Sequence, residues 1–390
     1  MRPKTSLNGE ENSLPIPIDL VVDIFSRLPA KSVAKCRCVS KLWASTLRRP
    51  DFTELFLTRS LASPQLLIAY QNSGEFFFFS SPQPQNLDEN SSSLVANYHM
   101  KLSFYESCRM SGLLNGLVCF MEQRYSKGCM ETLPVICNLG TGQSLPLPKV
   151  NTRRINVRSI LGYDPIEKQF KVLSMTWPNF GREMMCEEHQ VLTLGTGKLS
   201  WRKIECSIPP HSVWETGICI NGCLYYQAEV NGFSKVICFD VRSEKFRIIN
   251  KDKGMKLWCV STLVNYKGKL GAIEVSDNGF PGVTGKSRYL ALWVLVNAEK
   301  HEWLKHIYVF PPLWKNVVAN AKLFFVGVTG TNEIVLSSYT SGPFCVFYYN
   351  IERNTVRRVE MQGMDAYENH RVDIFLDHVE DVKLIQMFRT

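Results

Sequence analysis

The sequence predicts a small α-helical N-terminal unit followed by an all-β domain, most simply a β-propeller of about six blades, with a β-sandwich as the alternative. Three observations carry this prediction. Apolar residues recur every four positions near the N-terminus, the helical period stops after Pro64, and a strand–turn–strand outline then returns roughly every 55 residues.

Residues 1–13 are polar and read as a disordered leader. From Leu14 to about Ser60 the pattern is helical. Leu20, Ile24 and Leu28 share one helix face, with Asp19 placed to cap that helix and Pro29 to stop it. Ser32 is expected to cap a second helix whose apolar positions are Val33, Cys36, Val39, Leu42, Trp43 and Leu47, until Pro50 ends it. So short a unit buries little area, and is expected to lean on a partner or a neighbouring domain.

The repeat follows. The stretch Val135 to Gln143 resembles Val191 to Lys198, and the outline returns at Ile237–Val241, Trp293–Asn297 and Val346–Ile351. Anchored on Asn138, Thr193, Asp240, Leu295 and Asn350, the spacings are 55, 47, 55 and 55 residues. The strand after each turn often carries an aromatic residue: Trp201, Phe246 or Trp303. Each unit has room for four short strands, which suits a propeller blade. A sixth blade would combine Gln65–Phe79 and Leu94–Phe104 with a C-terminal strand, either Val372–Leu376 or Val382–Met387, so that no sheet edge is left open. A sandwich could use the same strands but would not require the repeat. The stretch Ser80 to Ser93, with two prolines and five serines, is expected to be an exposed loop.

Charge narrows the function. The net charge is +9, yet seven basic residues and no acidic one fall between Ile24 and Pro50, leaving only +2 elsewhere. An acidic partner at this segment is favoured over nucleic acid, which would call for basic residues across the larger domain. The thirteen cysteines mostly stand singly in apolar runs, as in Val118-Cys119-Phe120. No C-x-x-C occurs, and Cys36 with Cys38, Cys219 with Cys223 and Cys186 with His189 lack a second half-site, so neither a disulfide framework nor a metal is expected. The longest apolar run, Leu290 to Val296, is far too short to span a bilayer, and no secretory leader is visible. A soluble cytoplasmic or nuclear protein with no membrane partner is the expectation. Gly195-Thr196-Gly197-Lys198 lacks the first glycine of a phosphate loop and has Leu199 where Ser or Thr is needed, so it reads as a turn. With no G-x-S-x-G and no H-E-x-x-H, no catalytic residue and no cofactor is expected.

Leu14-Pro15, the run Asp19 to Val33, and Arg37-Cys38-Val39-Ser40-Lys41-Leu42-Trp43 together resemble the plant F-box. The remainder is similar to the F-box-associated interaction domain, through Gly112 to Cys119, Leu161 to Pro165 and Phe170 to Leu173. Departures are the extra Ile16 and Pro17, Asp23 where Glu is usual, and Cys36 where Phe is common. The resemblance implies an F-box over 14–60 and a substrate-binding domain over 61–390. It also implies the role of substrate receptor in an SCF-type cullin–RING ubiquitin ligase, tied to cullin and RING subunit through an acidic Skp-type adaptor. The residues it assigns to the adaptor are Leu14, Pro15, Leu20, Ile24, Leu28, Pro29, Val33, Cys36, Val39 and Trp43. A non-degradative scaffold and a propeller enzyme are the alternatives. The F-box is expected to be nearly self-contained. An unidentified substrate protein is expected on the loops Trp177–Arg182, His211–Thr216 and Gly279–Ser287, with Trp177, Phe180 and Trp214 as anchors.

Overall fold

The computed structural model describes residues 16–84, 93–104, 107–126, 129–154, 156–178, 185–195, 197–213, 217–255, 261–275, 282–338, 343–364 and 372–383. Four helices come first: α1 (Ile18–Phe25), α2 (Ala30–Cys36), α3 (Lys41–Thr46) and α4 (Pro50–Ala62). Val21, Phe25, Ala30, Val33, Leu47, Phe52 and Phe56 form their shared core. The Phe25 ring meets Trp43 edge-on at 4.8 Å. On α1 the core face is Val21 and Phe25, so Leu20 and Ile24, one residue earlier in each turn, point outward.

The expected second helix is in fact two. Arg37 turns inward and its Nη2 donates to the Leu47 carbonyl, which folds the chain back on itself. The Ser40 Oγ then accepts from the Trp43 N–H at 3.1 Å and starts α3. Prolines, not Asp19 or Ser32, stand at the first two helix entrances, because Pro17 and Pro29 occupy the cap positions and Asp19 lies in the first turn. Pro50 opens α4, where its missing N–H costs no hydrogen bond.

Six sheets follow, antiparallel apart from one edge pairing in the sixth. Blade one holds β1 (Gln65–Asn72), β2 (Glu75–Pro82) and β4 (Asn97–Ser103), while β3 (Ser93–Val95) leaves it to pair elsewhere. Blade two is β5 (Ser107–Leu114), β6 (Leu117–Ser126), β7 (Cys129–Asn138) and β8 (Gln143–Pro146). Blade three is β9 (Asn156–Asp164), β10 (Gln169–Trp177), β12 (Glu188–Thr193) and β13 (Arg202–Ile204). The short β11 (Met185–Cys186) joins blade four, which holds β14 (His211–Val213), β15 (Ile218–Ile220), β16 (Cys223–Val230), β17 (Phe233–Asp240) and β18 (Phe246–Ile249). Blade five is β19 (Thr262–Tyr266), β20 (Lys269–Val275), β21 (Tyr289–Asn297) and β22 (Glu302–Val309). Blade six is β23 (Leu323–Val328), β24 (Glu333–Ser338), β25 (Cys345–Asn350) and β26 (Thr355–Gln362). Finally β27 (Val372–His378) pairs with β1 and closes the ring. The architecture is a six-bladed propeller, and the sandwich alternative falls.

The repeat anchors all lie on third strands: β7, β12, β17, β21 and β25. The short interval of 47 contains the tight β16–β17 turn, in which Asn231 and Gly232 take φ of 52° and 77°. Two of the repeated aromatics tie blade to blade. Trp201 Nε1 donates to Pro148 O at 2.7 Å, and Trp303 Nε1 to Asn250 O at 2.9 Å. The ring closes through Val372–His378. Val382 goes instead to the helical core, and residues 384–390 lie outside the described residues. The stretch Ser80 to Ser93 is strand at both ends, because β2 runs to Pro82 and β3 adds in parallel to β26. A short helix, α5 (Trp314–Val318), was not expected; it packs where Phe310 stacks on Trp314 at 3.8 Å.

Candidate functional site

The helical unit presents an apolar surface to solvent. Leu20, Ile24 and Val39 are 55%, 52% and 66% exposed, and Pro29 is exposed beside them. Leu42, 61% exposed, and Ile16, 64% exposed, belong to the same class and were not among the sequence candidates. By periodicity Leu42 falls at a helix-core position; the break before α3 turns it outward. Leu28, Cys36 and Trp43 are half-buried against the core, at the rim of the surface. Val33 is a correction. It is fully buried beneath α2 and offers no surface to a partner. Leu14 and Pro15 lie outside the described residues.

The basic run divides in the same way. Lys31, Lys35, Lys41 and Arg48 are exposed. Arg27 is bound to Asp23 and Arg49 to Asp51. Arg37 is buried, and burial lowers its pKa to about 10, with Asp381 the nearby acidic group opposing that shift. It is a framework residue. Arg59 of α4 donates to the Asp23 carboxylate at 2.7 Å and to the Ser26 hydroxyl, which locks α4 to α1.

The helical unit is not self-contained. After β27 the chain crosses to it, and Val382 enters its core with no exposed area. The Glu380 carboxylate accepts from the Ala30 N–H at 2.8 Å, and the Glu380 N–H donates to the Ser60 Oγ at 2.7 Å. On the propeller side, Asn138 Nδ2 donates to Asp381 O at 3.0 Å and to Lys383 O at 3.1 Å. The approach is close. A side chain on Gly140 would stand 2.9 Å from the Ala30 Cβ, and one on Gly116 2.7 Å from the Val379 carbonyl. Lys168, in the β9–β10 turn, pairs with Glu54 of α4 at 2.7 Å. Residues 379–383 thus form a strap between the helices and blade two, and Lys168 of blade three adds a contact to α4.

These contacts decide which propeller face is free. The strap and α4 touch the β5–β6, β7–β8 and β9–β10 turns. Trp177 ends β10, so it lies about 27 Å away along that strand, at the opposite face. It is half-buried against the core between blades three and four. Phe180 and Trp214 lie outside the described residues. The six inner strands surround a central channel of about 420 Å³, lined in part by Gln227 and His378. Among the described residues no group of three His, Cys, Asp or Glu could hold a metal ion. The described cysteines are free thiols, and burial pushes Cys119 and Cys137 up to about 12. Gly195 and Gly197 take φ of 89° and 83°, as a turn requires.

A helical unit with an apolar outer face, strapped to a six-bladed ring, defines a two-module class of protein. Comparison with known families fixes the class. Residues 14–55 match the F-box domain, and residues 65–379 match the F-box associated beta propeller domain. The chain belongs to the F-box proteins that carry this propeller. It is 54% identical to F-box protein DOR of Arabidopsis thaliana over 389 residues, which cover 98% of this chain and 97% of that one. Two further F-box proteins of Arabidopsis thaliana are 50% and 47% identical, covering 98% and 97% of this chain and 93% and 96% of theirs.

Proposed function

We propose that this chain is the substrate receptor of an SCF-type cullin–RING ubiquitin ligase. The observation that carries the reading is the exposed row Leu20, Ile24, Val39 and Leu42 on a unit whose core is otherwise closed. A Skp-type adaptor covers that row, and the exposed Lys31, Lys35, Lys41 and Arg48 meet its acidic surface. Cullin and RING subunit are reached through the adaptor. The propeller holds the protein to be ubiquitinated at the face opposite the helices. No bond is made or broken by this chain. Its contribution is to hold a substrate lysine near the E2 thioester, which raises effective concentration and fixes orientation. The strap supports this division, because it holds the docking row and the binding face in one frame. The protein acts where the ligase acts, in cytoplasm or nucleus.

The test is capture of a purified Skp-type adaptor by the full chain, with Ile24→Asp beside the natural sequence. Undiminished capture by Ile24→Asp would overturn the assignment. Co-capture of cullin with the intact chain, and accumulation of a bound protein when the proteasome is blocked, would separate a receptor from a scaffold whose partner is never ubiquitinated.

A further inference from the structure

Outside the helical unit, exposed large apolar side chains gather on one blade. Tyr289, Val296, Leu304, Ile307, Val309 and Leu313 all lie on or next to β21 and β22 of blade five. The outermost strand of that blade is β22, with eight residues. One edge pairs with β21 from Glu302 to Val309, and no strand among the described residues pairs with the other. The outer strands β8, β13 and β18 have only four, three and four residues, and the seven of β4 are mostly polar. Folded proteins normally keep bare edges short, charged or covered, so a long apolar one marks a pairing surface.

The two faces of β22 differ. Trp303 reaches blade four, bonding to Asn250 just past the short β18. Lys305, Ile307 and Val309 follow on the same face, and beyond the end of β18 they stay exposed. Blade six displays the same kind of edge already filled. There β3 lies parallel on β26, with Ser93, Leu94 and Val95 opposite Glu360, Met361 and Gln362.

We propose that the outer edge of β22 docks an extended, acidic segment of a partner protein, added as a further strand of blade five. Backbone hydrogen bonds would supply the affinity, and alternate side chains the specificity. Charge selects the partner. Glu299, Lys300 and Glu302 sit at the turn end of the strand, whereas Lys305 occupies its middle and Arg288 stands beside its far end, where its carbonyl accepts from the Phe310 N–H. Lys305 lies over the Trp293 ring at 4.9 Å and is in none of the ion pairs among the described residues. A second copy fits less well. Antiparallel self-pairing centred on the strand sets Lys305 opposite the other copy's His306, so neither lysine meets a carboxylate across the pair. The site lies on the rim of the ring, apart from the loops of the open face. It therefore stands whether or not the bound partner is ubiquitinated.

The test uses the full chain and a fluorescein-labelled peptide with as many residues as β22, eight, alternating valine with glutamate. Two controls replace glutamate by lysine, or methylate alternate backbone nitrogens. The expected result is saturable binding that weakens with salt, and falls roughly tenfold or more for either control and for Ile307→Glu or Lys305→Glu. Ile307 is 57% exposed, so unchanged thermal melting of its variant shows that the fold is intact. The proposal is overturned if no peptide binds, if the lysine or methylated peptide binds equally well, or if both variants bind as the natural chain does. A dimer in sedimentation that Ile307→Glu dissolves would also overturn it, by naming a second copy as the occupant.

Discussion

The backbone N–H of Ala30 donates to the Glu380 carboxylate at 2.8 Å, joining residues 350 apart in the chain. Pro29 occupies the cap position of α2 and supplies no side-chain acceptor, so this distant carboxylate serves the helix N-terminus instead. With Val382 in the core below, the helical unit is completed by the residues that follow the ring.

The first prediction tests this strap. Deleting residues 379–390 removes Val382 and the Glu380 contact, and is expected to abolish adaptor capture although the docking row is untouched. Val382→Ala should cost about 2 kcal/mol of local stability, read as faster amide exchange in α1 to α4 than in the blades. Equal exchange in both regions would count against the coupling.

A second prediction contrasts two residues of the helical unit. Ile24 is exposed, so Ile24→Asp should leave thermal melting unchanged and remove adaptor binding. Val33 is buried, so Val33→Asp should unfold the helical unit, because a carboxylate there has no partner and no water. Circular dichroism and adaptor capture on both variants separate the two cases.

Acid is expected to destabilise the ring. Burial holds His189 and His378 at about 3, and lowers His211 as well. Each titrates near 6.5 when unfolded, so protonation favours the unfolded chain. Their contribution is full above that value and is lost progressively as pH falls from it towards about 3. Together His189 and His378 should cost roughly 2 kcal/mol between pH 7 and pH 5.5. Urea midpoints at the two pH values check this, and equal midpoints would refute it.

The blade tethers give a fourth prediction. Trp303→Phe keeps an aromatic ring against blade four but loses the bond to Asn250, and should cost about 1 kcal/mol in chemical denaturation. Trp201→Phe should behave similarly through Pro148. A variant as stable as the natural chain would mean that solvent replaces the bond at no cost.

The propeller was legible because each third strand is a buried apolar run ending in a polar turn, so Asn138, Thr193, Asp240 and Asn350 mark the blades without reference to any neighbour. The need to cover an edge called for a C-terminal strand but left Val372–Leu376 and Val382–Met387 as equals, and only the structure gives the closure to Val372–His378. What stayed hidden depends on distant partners. The break between α2 and α3 turns on Arg37 folding inward to Leu47, while Val33 and Val39 look alike in sequence and differ only in what packs above them. The strap could not be read at all, because nothing in Glu380 or Val382 points to Ala30 or to a helical core. Trp177, expected on a loop, is instead the last residue of β10, and its half-burial against the blade core shows how an aromatic beside a turn can serve packing as readily as recognition.

The pairing of β1 with β27 also sets a schedule. Ile68 lies opposite Ile374, so roughly 300 residues must leave the ribosome between the two strands. At about 5–20 residues per second this takes about 15–60 s. Through that interval blade one is a three-stranded sheet with an open edge, and the helical unit lacks the valine that fills its core. Both defects are repaired by one short stretch of chain. A nascent chain therefore completes its helical core as its ring closes, and a stalled chain that ends before β27 can do neither.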